Sequence, residues 1–183
     1  MTPSFAIKCV AILALLAGAT SSFSHISLDE PVALAGSGYK AVLRVGHGCE
    51  GSPVTAVRVS IPAGFRGAKP MPKPGWVLSI KTGRLDQAYE SHGKQVTEDV
   101  IDITWTARSS EHWLPDGYFD EFALRGTLPS KAGAMWFKVL QTCEQGSIHW
   151  AEVPPEGTAT HGLTTPAALL DIIGSGAVGG HQH

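Results

Sequence analysis

A histidine at position 25 stands at the predicted start of the mature chain, and this position gives it metal-binding chemistry. At a free N-terminus, the α-amine and the ring Nδ1 of one histidine together close a six-membered chelate. Cu(II) prefers nitrogen donors in a tetragonal plane and leads the divalent series in affinity. His25 is therefore a candidate Cu(II) ligand, although its position is equally compatible with a simple cleavage context.

The residues before His25 predict an export signal. Lys8 supplies a positive end, Cys9 to Ala19 form an apolar run, and Ser22-Phe23-Ser24 place small residues at the −3 and −1 positions. The apolar run is too short for a bilayer span, which needs about 20 residues. We therefore expect residues 1–24 to be removed as a signal peptide. The product is expected to be periplasmic or otherwise secreted, without a lipid anchor.

Export also decides how the cysteines are used. Cys9 leaves with the signal, so Cys49 and Cys143 are the remaining thiols, and an exported pair normally oxidises. We predict a Cys49–Cys143 disulfide; a pair of metal thiolates is the alternative. A blue-copper electron-transfer site is disfavoured, because it needs a cysteine thiolate that a disulfide would remove.

Composition limits the possible classes of protein. The chain has 183 residues, of which 43% are hydrophobic and 16% are charged, as in a globular protein with one domain. The net charge of −2 provides no basic surface for a phosphate backbone. A nucleic-acid partner is therefore not expected.

Short runs of alternating hydrophobicity predict the secondary structure. The runs are separated by turn-rich segments such as Pro72-Lys73-Pro74-Gly75. They are Tyr39 to Val45, Val54 to Ile61, Trp76 to Ile80, Val100 to Thr106, Tyr118 to Leu124, Met135 to Thr142 and Ile148 to Val153. Seven or eight such strands without helical periodicity predict an all-β, antiparallel, immunoglobulin-like sandwich. The polar interval from Arg84 to Asp99 is expected to be a loop or a hairpin.

A change in composition predicts the end of the domain. After Pro154-Pro155 the chain becomes rich in Gly, Thr and Ala and ends in Gly-Gly-His-Gln-His. We expect the sandwich to span residues 25–157 and residues 158–183 to form a flexible tail, in which Ala167 to Ile173 could form one or two helical turns. The tail residues His181 and His183 could bind Cu or Zn weakly.

Several blocks of residues, in order, resemble the YcnI-like copper-binding domain family of exported bacterial proteins. The blocks are His25 to Leu28, Gly38 to Val45, His47 to Gly51, Lys73 to Trp76, Ile103 to Trp105, Glu121-Phe122, Gln141 to Glu144 and Trp150. Together they cover roughly residues 25–153, which makes the resemblance more specific than any single motif.

The resemblance implies a cupredoxin-like sandwich that holds copper through its N-terminal histidine alone, with a tryptophan against the metal. His25 corresponds to that histidine. We assign the tryptophan to Trp150 at the end of the last strand, because Trp136 lies beside a position that the family usually fills with an aromatic core residue. Each tryptophan could also be an ordinary core residue.

The sequence departs from the family pattern at one proposed ligand. Some members carry a carboxylate directly after the tyrosine that corresponds to Tyr39, but here Lys40 follows, and a protonated lysine cannot bind a cation. Asp29, Glu30 and His47 are candidates for the missing ligand, and water is a further one. His47 is the best of these, although it could simply cap the adjacent glycine-rich loop.

Two further histidines are expected to be exposed to solvent. His112 lies in a predicted loop. His149 alternates with Trp150, so its ring should point to the opposite face of the strand.

Three hypotheses about function remain. The first is a copper-binding protein that stores, acquires or delivers Cu(II) and exchanges it with other exported or membrane copper-handling proteins. The second is a metal-free, immunoglobulin-like interaction module. The third, a copper-dependent oxidase, is disfavoured because copper oxygenase sites use a pair of histidines and no clear second histidine occurs in a family motif; the protein is not expected to be an enzyme.

Overall fold

The computed structural model describes residues 25–174, and β-strands dominate this range. The strands are β1 (Ser27–Leu28), β2 (Val32–Leu34), β3 (Gly38–Val45), β4 (Val54–Ser60), β5 (Arg66–Pro70), β6 (Trp76–Ser91), β7 (Lys94–Ala107), β8 (Asp120–Thr127), β9 (Gly133–Cys143), β10 (Ser147–Trp150) and β11 (Ala168–Ile173). A 3-10 helix at Ser110–His112 is the one helical element in the range. Within it, no helix has the length and hydrophobicity needed to cross a membrane.

The strands form two sheets. The smaller sheet has the order β1-β3-β8-β5, and the larger has the order β2-β11-β9-β4-β7-β6. Strand β10 also pairs with β9, along Val139 to Thr142, while β11 pairs with β9 along Gly133 to Phe137. Strands β11 and β2 run parallel, whereas the other strand pairs of the described range are antiparallel. The predicted all-β sandwich is confirmed.

Alternation along the strands builds the core. In β3, Ala41, Leu43 and Val45 are buried, whereas the intervening Arg44 is exposed. Because neighbouring side chains of a strand point to opposite faces, this pattern buries one face of the sheet. The ring of Phe122 in β8 makes edge-type contacts with Trp76 and Trp105 of the other sheet, at ring-centroid distances of 5.0 and 5.7 Å. The core therefore lies between the two sheets.

All seven predicted runs contain strands, and the polar interval is part of a hairpin. Strands β6 and β7 are paired from Trp76 to Ser91, with the ladder interrupted between Arg84 and Tyr89. The hairpin turns at His92-Gly93, where both residues have positive φ angles of 50° and 73°. The sequence did not reveal β1, β2, β5 or β11.

The prediction that the sandwich ends at residue 157 is wrong. Residues Ala168–Ile173 form β11, which lies between β9 and β2, and Leu170 and Ile172 are buried in the core. The predicted helical turns are also wrong, because alternate residues of this segment point inward, which is the period of a strand. Residues 175–183 of the predicted tail, with His181 and His183, lie outside the described residues.

Asp99 of β7 joins the long hairpin to β5. Its carboxylate accepts hydrogen bonds from the Tyr89 hydroxyl and from the backbone N–H groups of Gly67 and Val100, at 2.7 to 2.8 Å. Burial alone would raise the pKa of the Asp99 carboxyl, but these three hydrogen bonds together lower it below the usual 3.8. The hydrogen bonds to the ionised Asp99 carboxylate therefore stabilise the fold fully above pH 3.8. This stabilisation is lost as the pH falls through the lower pKa of the folded state.

We expect the Gly67 amide resonance to report this titration. In an NMR titration toward low pH, its chemical shift should change with a midpoint below 3.8. In Asp99→Asn the change should disappear, because the amide does not titrate. A midpoint of 3.8 or higher in the wild-type protein would show that the hydrogen bonds do not favour the ionised carboxylate.

Candidate metal centre

The short first strand fixes the position of His25. Ile26 and Leu28 are buried on either side of the exposed Ser27, and β1 pairs with β3 through Ser27 with Arg44 and Leu28 with Leu43. The Asp29 N–H continues this ladder by donating to the Val42 carbonyl at 3.0 Å. His25 thus precedes the first paired residue of β1 by two positions. Its backbone is anchored by the strand, while its side chain is exposed.

Tyr39 fastens the segment that follows. Its hydroxyl donates to the Glu30 carbonyl at 2.6 Å. Burial, with smaller contributions from the charges of Glu30 and Asp29, raises the pKa of Tyr39 to about 12. The hydroxyl consequently stays protonated at neutral pH and remains a donor.

Trp150 is the point at which the predicted ligands meet. Its indole is almost fully buried at the end of β10, and its ring centroid is 5.7 Å from that of His25 and 6.1 Å from that of His47. The three side chains predicted for the metal site are therefore brought together. Trp136 lies on the outward face of β9, where it lines a separate pocket with Gly64 and Pro129.

The segment that carries His47 is held from several directions. Gly48 donates its N–H to Asp116 at 3.0 Å, and Cys49 forms the predicted disulfide with Cys143 of β9, with a Cα–Cα distance of 6.0 Å. The His47 Nδ1 lies 2.5 Å from the Gly48 carbonyl oxygen. Only glycine fits at position 48, because a Cβ there would lie 1.9 Å from the Ser52 carbonyl oxygen. The loop therefore presents His47 in a defined place.

Gln141 links these two parts of the site, and sequence reasoning did not identify it. It accepts a hydrogen bond from the Trp150 Nε1–H at 2.8 Å and donates one to the His47 carbonyl at 2.6 Å. The available signal was its position. Gln141 occupies an inward-facing place in β9 between Val139 and Cys143, where an apolar side chain is expected.

The Asp29 carboxylate is engaged elsewhere, Glu30 is exposed beyond the end of β1, and position 40 is distant from His25. Asp29 pairs with Arg44, which also lies 3.6 Å from Glu121. Extending the β1–β3 ladder places His25 opposite Gly46, and Lys40 is six residues further along β3, about 20 Å away at ~3.3 Å per residue. A carboxylate at position 40 could therefore not reach His25 in this fold.

The two histidines expected to be exposed, His112 and His149, lie as predicted. His112 is exposed in its loop, with its Nδ1 3.0 Å from the Ser109 hydroxyl. His149 is exposed on the face of β10 opposite to Trp150. Neither is brought to the indole.

The side chains around Trp150 suit copper only if the α-amine of His25 is also a ligand. Across residues 25–174, no three side chains among His, Cys, Asp and Glu cluster in a way that could hold a metal ion. Imidazole is a good copper ligand, and the α-amine of His25 would add a second nitrogen once the Ser24–His25 bond is cleaved. The residues present therefore fit a copper ion bound by the His25 chelate, with the His47 ring near the same indole.

A comparison with protein families decides the classification. Residues 25–172 match the family described as "Domain of unknown function (DUF1775)". The chain belongs to the DUF1775 family. The YcnI-like blocks are blocks of this same family, so the resemblance is confirmed at the level of the family. The DUF1775 match also extends into β11, as far as Ile172, in agreement with the corrected domain boundary.

A solved structure supports the fold of this DUF1775 domain. It is the crystal structure of an uncharacterized protein from Nocardia farcinica, whose title describes an immunoglobulin-like fold. The two chains are 25% identical and superpose with a TM-score of 0.62, over 81% of this chain and 97% of the other. No curated protein matches the sequence.

Proposed function

We propose that this DUF1775 protein is an exported copper-binding protein. It holds Cu(II) through the α-amine and Nδ1 of His25, with the Trp150 indole against the metal and His47 beside it. The observation that carries the proposal is the convergence of two imidazole rings on one buried indole, at 5.7 and 6.1 Å.

Each residue has a separate task in this proposal. His25 supplies the chelate, and β1 keeps it in place because Ile26 and Leu28 are anchored in the core. Cu(II) favours nitrogen donors. Bound in this way, the ion would remain exchangeable with another copper-binding protein. In the precursor the His25 nitrogen is part of a peptide bond, so binding would begin only after cleavage. This coupling would prevent copper from binding before export.

The proposed role is copper homeostasis, acquisition or delivery in the periplasm. Partners would be other exported or membrane copper-handling proteins. An exposed His25 at the edge of the fold suits transfer of the metal to such a partner. We propose no enzymatic activity, since the roles assigned to these residues are binding and exchange.

A Cu(II) titration read by electron paramagnetic resonance tests the proposal. Protein that begins at His25, verified by mass, should bind one copper tightly and show nitrogen hyperfine structure. One additional, N-acetylated residue before His25 should weaken binding by about a hundredfold or more, because it leaves no free amine beside the His25 ring, and even the loss of an outer-shell partner costs about 10- to 100-fold. His47→Ala should have a smaller effect, about tenfold.

His149→Ala is the matched control, because it removes an exposed imidazole one residue from Trp150 but on the opposite face. It should leave affinity and spectrum unchanged. Equal, weak binding by the exact and the extended chains would show that the copper proposal is wrong.

A metal-free interaction module is the second candidate, and one observation favours it. Tyr118 and Phe119 are consecutive and remain 67% and 71% exposed, and aromatic side chains are enriched where proteins bind one another. Asp116, in the same loop, is hydrogen-bonded to Gly48 next to His47. If the titration fails, this loop becomes the first surface to test by substitution.

A further inference from the structure

Gln141 is the only polar or charged side chain among residues 25–174 that is buried, with an exposed fraction of 1%. Burying a carboxamide is costly unless its groups are hydrogen-bonded. It lies in β9 directly opposite Val57 of β4 and Ile148 of β10, and both of these cross-strand neighbours are apolar. An apolar residue would be the simpler choice for the core, so the polar group needs a reason.

Both of its hydrogen bonds end at the candidate metal centre. One joins its Oε1 to the Trp150 indole N–H, and the other joins its Nε2 to the His47 carbonyl. The orientation of the carboxamide is fixed by its partners, because an indole N–H can only donate and a carbonyl can only accept. A flipped amide would set donor against donor and acceptor against acceptor. An amide satisfies both partners at once at any pH, whereas an ionised carboxylate could only accept.

Strand register explains how one side chain reaches both. Gln141 pairs with Ile148, and Trp150 pairs with Val139, so Gln141 and Trp150 are diagonal neighbours on the same face of the β9–β10 ladder. His47 lies in the loop between β3 and β4, far away in sequence. The carboxamide therefore connects two segments that carry two different groups of the site.

We propose that Gln141 is the positioning residue of this metal centre. It acts through Trp150 and His47 and does not touch the metal. Because the carboxamide occupies the indole N–H, only the ring carbons of Trp150 would be available to a metal. Because the same carboxamide holds the His47 carbonyl, the His47 ring and the indole keep one relative position. The inference rests on the proposed copper function.

Two substitutions separate the two hydrogen bonds. Gln141→Leu fills a similar volume and removes both. Gln141→Glu is nearly isosteric; measured at a pH at which its carboxyl is ionised, it keeps an acceptor for the indole N–H and loses the donor to His47. Thr142→Val is the matched control, because Thr142 is adjacent in β9 but points to the opposite face.

The first measurement uses metal-free protein beginning at His25. Exchange of the Trp150 indole proton, followed by NMR of 15N-labelled protein, should be about tenfold faster in Gln141→Leu than in wild type, and close to wild type in Gln141→Glu. The control should match wild type. Equal exchange in Gln141→Leu and wild type would overturn the proposal, because the carboxamide would then not hold the indole.

The second measurement adds Cu(II) to the same four proteins. Gln141→Leu should bind about tenfold more weakly and with altered hyperfine splitting, as expected when a supporting outer-shell group is lost. Gln141→Glu should give intermediate values, since one of the two hydrogen bonds remains. Identical copper spectra and affinities in all four would overturn the proposal and leave Gln141 with a purely structural role.

The two arms distinguish this inference from the proposed function. Suppose that wild-type protein binds no copper, while the Trp150 indole proton still exchanges faster in Gln141→Leu than in wild type. The copper function then fails, and the role of Gln141 toward a metal fails with it. If wild-type protein binds copper tightly but Gln141→Leu changes neither exchange nor spectrum, only the role of Gln141 fails. Should Gln141→Leu not fold, Gln141→Glu carries the test, through the loss of the His47 hydrogen bond alone.

Discussion

A chain that ends at Gly157 is expected not to fold. It would lack β11, which lies between β9 and β2 and buries Leu170 and Ile172 in the core. Deleting one buried leucine or isoleucine side chain costs about 2 to 5 kcal/mol, and a domain of this size is stable by only about 5 to 15 kcal/mol. Losing a whole strand and its ladder should exhaust that margin. Thermal unfolding followed by circular dichroism would show no cooperative transition.

A chain ending at Gly174 is the control for this truncation, because it retains β11. It should unfold cooperatively, like the full mature chain. A cooperative transition in the chain that ends at Gly157 would mean that β11 is dispensable, contrary to its burial.

Replacing both cysteines, Cys49→Ser with Cys143→Ser, is expected to lower the free energy of unfolding by about 4 to 5 kcal/mol in the chain-entropy estimate. The disulfide closes a loop with a sequence separation of 94, so its loss lets the unfolded chain sample many more conformations. Urea unfolding at equilibrium would measure the change as a lower midpoint. Because both cysteines are buried, the two serine hydroxyls add a further cost, so the loss in the double variant should exceed that caused by chemical reduction of the wild-type disulfide.

The double substitution also tests how the His47 loop is held. Gly48 remains bonded to Asp116 and the His47 carbonyl to Gln141, so copper binding should weaken less than it does when the His25 amine is displaced. The wild-type protein with its disulfide chemically reduced is the matched comparison. An unchanged urea midpoint in both would show that the bridge does not stabilise the fold.

Seven of the eleven strands within residues 25–174 could be located from sequence, because each shows alternation with turn residues at its ends. β3 is an example, with Ala41, Leu43 and Val45 buried. Strands β1 and β2 have two and three residues, too few for a period to appear. Strand β5 contains Gly67 and Pro70, residues that ordinarily argue against a strand. Only pairing with longer strands makes these segments extended.

Strand β11 was missed for a different reason. Its six residues follow a stretch rich in Gly, Thr and Pro, and a short apolar run is compatible with either a helix or a strand. The choice is made by the vacant edges of β9 and β2, which the segment fills. A sequence contains no direct record of such an edge.

The sequence by itself determined the disulfide pairing and the all-β class, and it predicted His25 as a candidate donor. The prediction of His25 rests on the expected cleavage pattern, the Cys49–Cys143 pair on counting, and the class on a local period of two. These features depend on neighbours along the chain or on composition, so they can be read without a fold.

Only the tertiary structure decided which groups meet. It brought Trp150, and not Trp136, beside His25 and His47, and it removed position 40 from the site by the length of a strand. It also revealed Gln141, whose two hydrogen bonds join residues 9 and 94 positions away in sequence. Contacts at such separations arise from strand register and sheet packing, which no local pattern encodes.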